Sequence, residues 1–110
     1  MIPTTKLTGT ITEANGQPWT RPVTIRLNRT VRDPDHGQII PADHQVTPDP
    51  DGGIEINLWP NSRGIEASRY RLTIGADTFT FELPDQPEAN LSDVLTLEVD
   101  PIVKTGSALV

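Results

Sequence analysis

The residues best suited to chemistry crowd into one stretch of this chain. His36 and His44 lie near Asp33, Asp35 and Asp43, and Asp49 and Asp51 follow in "PDPDGG". Two imidazoles and a carboxylate can hold a transition metal or move a proton. The spacing fits no established ligand or acid-base pattern, however, and Pro34, Pro41, Pro48 and Pro50 break the segment into short turns. These residues therefore read as solvated loop positions. Asp49 and Asp51 could begin a calcium loop, but the later glutamate and the rest of an EF-hand ligand set are missing, so the motif reads as a Pro-Asp-Gly turn. Ser62, Ser68, Ser92 and Ser107 stand in no nucleophile-elbow context. Asp85 and Glu88 fall in a loop, whereas glycoside hydrolysis needs two carboxylates fixed in a cleft. The chain has no cysteine, which removes thiolate chemistry, zinc-thiolate sites and disulfides. The expectation is a protein that is not an enzyme and uses no cofactor or metal.

Aromatic and charged side chains point instead to contact surfaces. Trp19 and Trp59 could stack on a sugar ring or anchor a protein interface. Trp59 follows Ile54, Ile56 and Leu58 on the opposite parity, which predicts a ring on the outer face. Arg69 and Arg71 share the outward side of one expected strand, with Glu55 and Glu82 outward on others. That pattern suits cross-strand ion pairs or an electrostatic seam between subunits.

The elements that must position these residues are strands. In "RYRLTIGADTFTFELPD", Tyr70, Leu72 and Ile74 alternate with polar residues, and after a Gly-Ala-Asp turn so do Phe79, Phe81 and Leu83. Strict alternation gives two strands with one apolar face each, joined as a hairpin. "KLTGTIT" (6–12), "PVTIRLN" (22–28) and "GIEINLW" (53–59) read the same way, with Gly9 permitting close backbone approach. Asn15-Gly16 favours a tight turn. "QII" and "HQV" suggest brief edge strands, with prolines and charges protecting them. Leu91, Val94 and Leu95 have helical spacing, and Asn90 or Ser92 can cap a single short turn. "TLEV" (96–99) closes the series. About seven strands separated by turn signals at roughly ten-residue spacing predict an all-β, antiparallel two-sheet β-sandwich, Ig-like in strand count. The expected division is an arm at 1–5, a sandwich at 6–100, and a C-terminal arm or linker at 101–110.

Composition sets further bounds. The chain has 110 residues, natural for one domain, and only 35% are hydrophobic, so the core must be thin. Its net charge of −6 opposes nonspecific nucleic-acid binding, which needs a cationic surface, and opposes adsorption to anionic membranes. The N-terminal "MIPTTKLTGT" lacks the apolar core of a signal peptide.

The order "LTGTITEANGQP", "VTIRL", "PDPDGGIEINLWPN", "SRYRLTIG" resembles the carboxypeptidase-regulatory-like and transthyretin-like sandwich pattern, with Ser68 where that pattern carries glycine. "LWPN" (58–61), "YRLTI" (70–74), "FTFELPD" (79–85) and "ANLSDVL" (89–95), taken in order, are similar to the N-terminal domains of bacteriophage tail fibres and other virion appendage proteins. The resemblance implies a structural or docking module that is part of a virion assembled in the bacterial cytoplasm. It implies other virion proteins as partners and a homo-oligomer, with a trimer expected, serving host attachment in the tail as a fibre or adaptor. A capsid decoration protein and a carbohydrate-binding module with a glycan receptor are the alternatives. The surfaces expected to make contacts are Trp19, Trp59, the 61–68 loop with Asn61, Arg63 and Ile65, the Arg69 and Arg71 face, and the C-terminal arm with Ile102 and Val103.

Overall fold

Apolar residues at every second position need a partner layer, and two sheets supply it to one another. The computed structural model describes residues 2–97. One sheet has the order β6-β1-β9, from β1 (Thr5–Thr10), β6 (Gly53–Leu58) and β9 (Glu88–Asn90). The other has the order β10-β8-β7-β2-β5, from β2 (Val23–Leu27), β5 (Asp43–Val46), β7 (Tyr70–Ile74), β8 (Asp77–Phe81) and β10 (Leu95–Leu97). A separate hairpin, β3 (Val31–Asp33) and β4 (Gly37–Ile39), lies outside both. The all-β sandwich expected from the alternation is present. The pairing is antiparallel throughout except that β1 runs parallel to β9.

The core is what the alternating residues predict. Leu7, Val23, Ile25, Leu27, Ile54, Leu58, Tyr70, Leu72, Phe81 and Leu83 are buried, and Tyr70 stacks on Phe81 with ring centroids 5.4 Å apart. Burying each large apolar side chain contributes about 1.5–3 kcal/mol. The short helical turn is α1 (Leu91–Val94), and Asn90 caps it by accepting from the Ser92 N–H. Gly9 permits the close approach expected of it, because a Cβ there would lie 2.6 Å from Leu91 Cβ.

Three boundaries differ from expectation. Thr5 belongs to the sandwich rather than to an arm. It is buried, pairs with Leu58, and donates from Oγ1 to the Pro84 carbonyl at 2.7 Å. β3 and β9 are additional strands of three residues each, too short to show a period. β6 ends at Leu58, one residue before Trp59, and that changes where the Trp59 ring goes. The end of "TLEV" and the arm with Ile102 and Val103 lie outside the described residues.

Candidate docking surface

Where β6 ends, Pro60 prevents the strand from continuing as a ladder donor. The chain makes a 3-10 turn at Asn61–Arg63 and runs as a loop to β7. This loop lies against the β3–β4 hairpin, and polar side chains hold the two together.

Asp33 is the centre of the arrangement. Its side chain has no solvent exposure. Oδ2 accepts from Trp59 Nε1 at 2.8 Å and from Arg63 Nε at 3.1 Å. Oδ1 accepts from the Asp35 N–H at 2.8 Å and the His36 N–H at 3.2 Å, and His36 Nδ1 lies 3.3 Å away. A buried carboxylate is costly unless its lone pairs are filled, and here they are. The Trp59 N–H, then the Asp35 N–H and the Arg63 guanidinium, outweigh burial and hold the Asp33 carboxyl well below the usual carboxylate range.

Arg63 extends the network. Its NH2 reaches Asp35 at 2.9 Å and its NH1 reaches Asp85 at 3.2 Å, so one guanidinium joins the hairpin, the loop and the segment after β8. Asp33 and Asp85 push its basicity up further. On the loop's far side, Glu66 accepts from the Arg32 N–H at 2.9 Å and from Arg32 Nε at 2.6 Å. Those contacts, the backbone one first, lower the Glu66 carboxyl's pKa. The Ile65 N–H donates to the Arg32 carbonyl at 2.9 Å. Asn61 is buried, donating to Ser68 Oγ at 2.9 Å and accepting from the Leu83 N–H at 2.8 Å. Gly64 fits only without a side chain, since a Cβ would fall 2.6 Å from Val31 Cγ1 and 3.0 Å from Trp59 Cη2.

The outcome is a loop fixed on both sides that leaves one large apolar side chain outside. Ile65 is 58% exposed, and Ile40, just past β4, is 62% exposed.

The residues expected at a contact surface divide accordingly. Trp59 is not on the outer face. It is 6% exposed, because parity along β6 stops applying where the strand stops. Asn61 and Arg63 act inside the loop, as its internal ties, and Ile65 is presented to solvent. Arg69 pairs loosely across strands with Glu82 at 3.7 Å, and Lys6 with Glu55 at 3.8 Å, both exposed and worth little individually. Arg71 lies on the exposed side of β7, opposite Arg26 and Thr80. Trp19 is half-buried, with the Arg21 guanidinium 3.7 Å over its ring.

The loop chemistry resolves as well. Asp49 Oδ1 accepts from the Asp51 and Gly53 N–H groups at 2.8 and 2.9 Å, which makes the "PDPDGG" stretch a side-chain-capped turn. His36 faces Asp33, while His44 is half-buried on β5 opposite Ile25. Among the described residues no group of three or more His, Asp or Glu is arranged to hold a metal.

Sequence reasoning missed Asp33 and Ile40 as parts of this surface, and missed that Glu66 within the 61–68 loop pairs with Arg32. The one local signal was "DPDH" itself, an aspartate followed at two and three residues by N–H groups it can accept from. Arg32 and Glu66 are 34 positions apart, and nothing in either neighbourhood announces the pair. No protein-family model matches this chain, and no curated protein matches it in sequence.

Proposed function

We propose that this chain is a non-catalytic structural protein of a tailed-bacteriophage virion, a docking module of the tail that engages a neighbouring virion protein through the β3–β4 hairpin and the 61–68 loop. The observation that carries the reading is the convergence of three of the four motifs that carry the resemblance. Trp59 and Asn61 of "LWPN", Tyr70 of "YRLTI", and Leu83 and Asp85 of "FTFELPD" all make contacts that fix this loop. A loop already ordered before binding loses little conformational freedom on association, and an exposed isoleucine at its edge supplies an apolar anchor. Capsid decoration is the same reading with a different neighbour. A sugar-stacking platform has less support, because Trp59 is buried and Arg21 covers a face of Trp19.

Peptide mass spectrometry on density-purified particles tests this. The expected result is recovery at a fixed ratio to the major capsid protein, with a few copies marking a tail part and many a decoration. Ile65→Asp, expected to fold normally because the side chain is exposed, is expected to be lost from the particles. Absence of the wild-type chain from particles while it is abundant in the lysate overturns the proposal.

A further inference from the structure

β6 is an edge strand with part of its backbone left open. The direction of its hydrogen-bonding groups follows from its neighbour. The Lys6 N–H donates to the Pro87 carbonyl, away from β6, so Lys6 and its partner Asn57 form a pair that exchanges no hydrogen bonds. The Ile11 N–H donates to the Gly52 carbonyl, which gives the same parity from the other end. Ile54, Ile56 and Leu58 therefore turn their backbone groups toward β1, and Gly53, Glu55 and Asn57 turn theirs outward. Asp49 occupies those of Gly53, donating its N–H to the Gly53 carbonyl and accepting from the Gly53 N–H. The outward N–H and C=O groups of Glu55 and Asn57 have no partner among the described residues.

Two other edges are guarded. β5 is bounded by Pro41 and Pro48 and begins at Asp43, and β9 has only three residues and turns directly into α1. β6 has six residues and no proline, lysine or bulge of its own. Ile56 marks the gap. It is half-buried, between Ile54 at 4% and Leu58 at 3% exposure, though all three face the core.

We infer that β6 pairs antiparallel with β6 of a second copy of this chain, about a two-fold axis through Ile56. That register satisfies both exposed residues, since Glu55 of one copy exchanges backbone hydrogen bonds with Asn57 of the other. It sets Ile56 against Ile56 and completes the burial of both. It also keeps the Glu55 carboxylates from facing each other, which an axis through Glu55, a two-residue slip of one strand past the other, would not. Two copies use up both free edges, so the assembly closes as a dimer. The surface involves none of the residues of the docking loop, and its test is independent of that reading.

The chain lacks cysteine, so Ile56→Cys carries a single thiol. Across the axis this is a non-hydrogen-bonded pair with Cα atoms about 4.5 Å apart, within disulfide reach. Mild oxidation is expected to link Ile56→Cys into a covalent dimer far faster than Thr20→Cys, an exposed control. Asn57→Pro removes an N–H that β1 does not use, so the fold survives while self-association weakens about a hundredfold. Sedimentation equilibrium of the wild type and this variant reads that change. A monomeric wild type at every concentration, equal linking of the two thiol variants, or a folded Asn57→Pro that associates like the wild type overturns the inference.

Discussion

Trp59 donates its indole N–H to the Asp33 carboxylate at 2.8 Å across 26 positions of sequence, and the carbonyl of the same tryptophan accepts from the Tyr70 hydroxyl at 2.7 Å. The ring is thus a strut between the hairpin and the sandwich. Trp59→Ala is expected to cost about 3–5 kcal/mol by opening a cavity and stranding its partners, read as a lower urea midpoint. Loss of any glycan binding without loss of stability would contradict this placement.

Tyr70 is the only tyrosine, so its titration is directly visible. Burial pushes its hydroxyl well above the ordinary value of 10.0. Phenolate absorbance is expected to stay flat through that pH and to rise only with alkaline unfolding. Tyr70→Phe strands the Trp59 carbonyl and is expected to cost about 1–2 kcal/mol by denaturant titration.

Asp33 and Glu66 are both held below their ordinary values of 3.8 and 4.5. A depressed carboxyl contributes its full stability above the unfolded value and loses it as pH falls toward the folded value. The wild type is therefore expected to weaken on acidification below about pH 4.5. The stability gaps to Asp33→Asn and Glu66→Gln should be constant near neutrality and narrow in acid. Urea midpoints across that range check the sign.

Gly9→Ala would set a methyl group 2.6 Å from Leu91 Cβ, where β1 meets α1. An overpacked contact of this kind costs about 1–3 kcal/mol, and a lowered melting temperature would show it. An unchanged melting temperature would mean that α1 moves freely on the sheet.

The strands that bury one face, β2, β6, β7 and β8, were legible because alternation of this kind has one stable outcome. The cap at Asn90 was legible because its effect is local. Asp33 was not, because an aspartate among prolines looks the same whether it faces water or a buried indole 26 residues away. Trp59 was misplaced for a related reason. Parity predicts a face only while the strand lasts, and the end of β6 is set by Pro60 and by the partners waiting in β3 and β7. The parallel pairing of β1 with β9 was equally hidden, since neither strand carries a signal naming the other.

That pairing places β1, the first of the described strands, at the centre of its sheet, between partners that come from the middle and the end of the described sequence. Thr5 meets Pro84 across 79 positions. During synthesis Leu7 has no finished surface to pack on until Ala89 has left the ribosome, so the core closes late and nearly all at once. Such non-local topology belongs with the slower-folding small domains. Stalled chains with Ala89 still inside the exit tunnel should be cut readily by protease, and chains whose added C-terminal linker holds Leu97 outside it should resist. Protection at the shorter length would show that the five-stranded sheet stands without its partner.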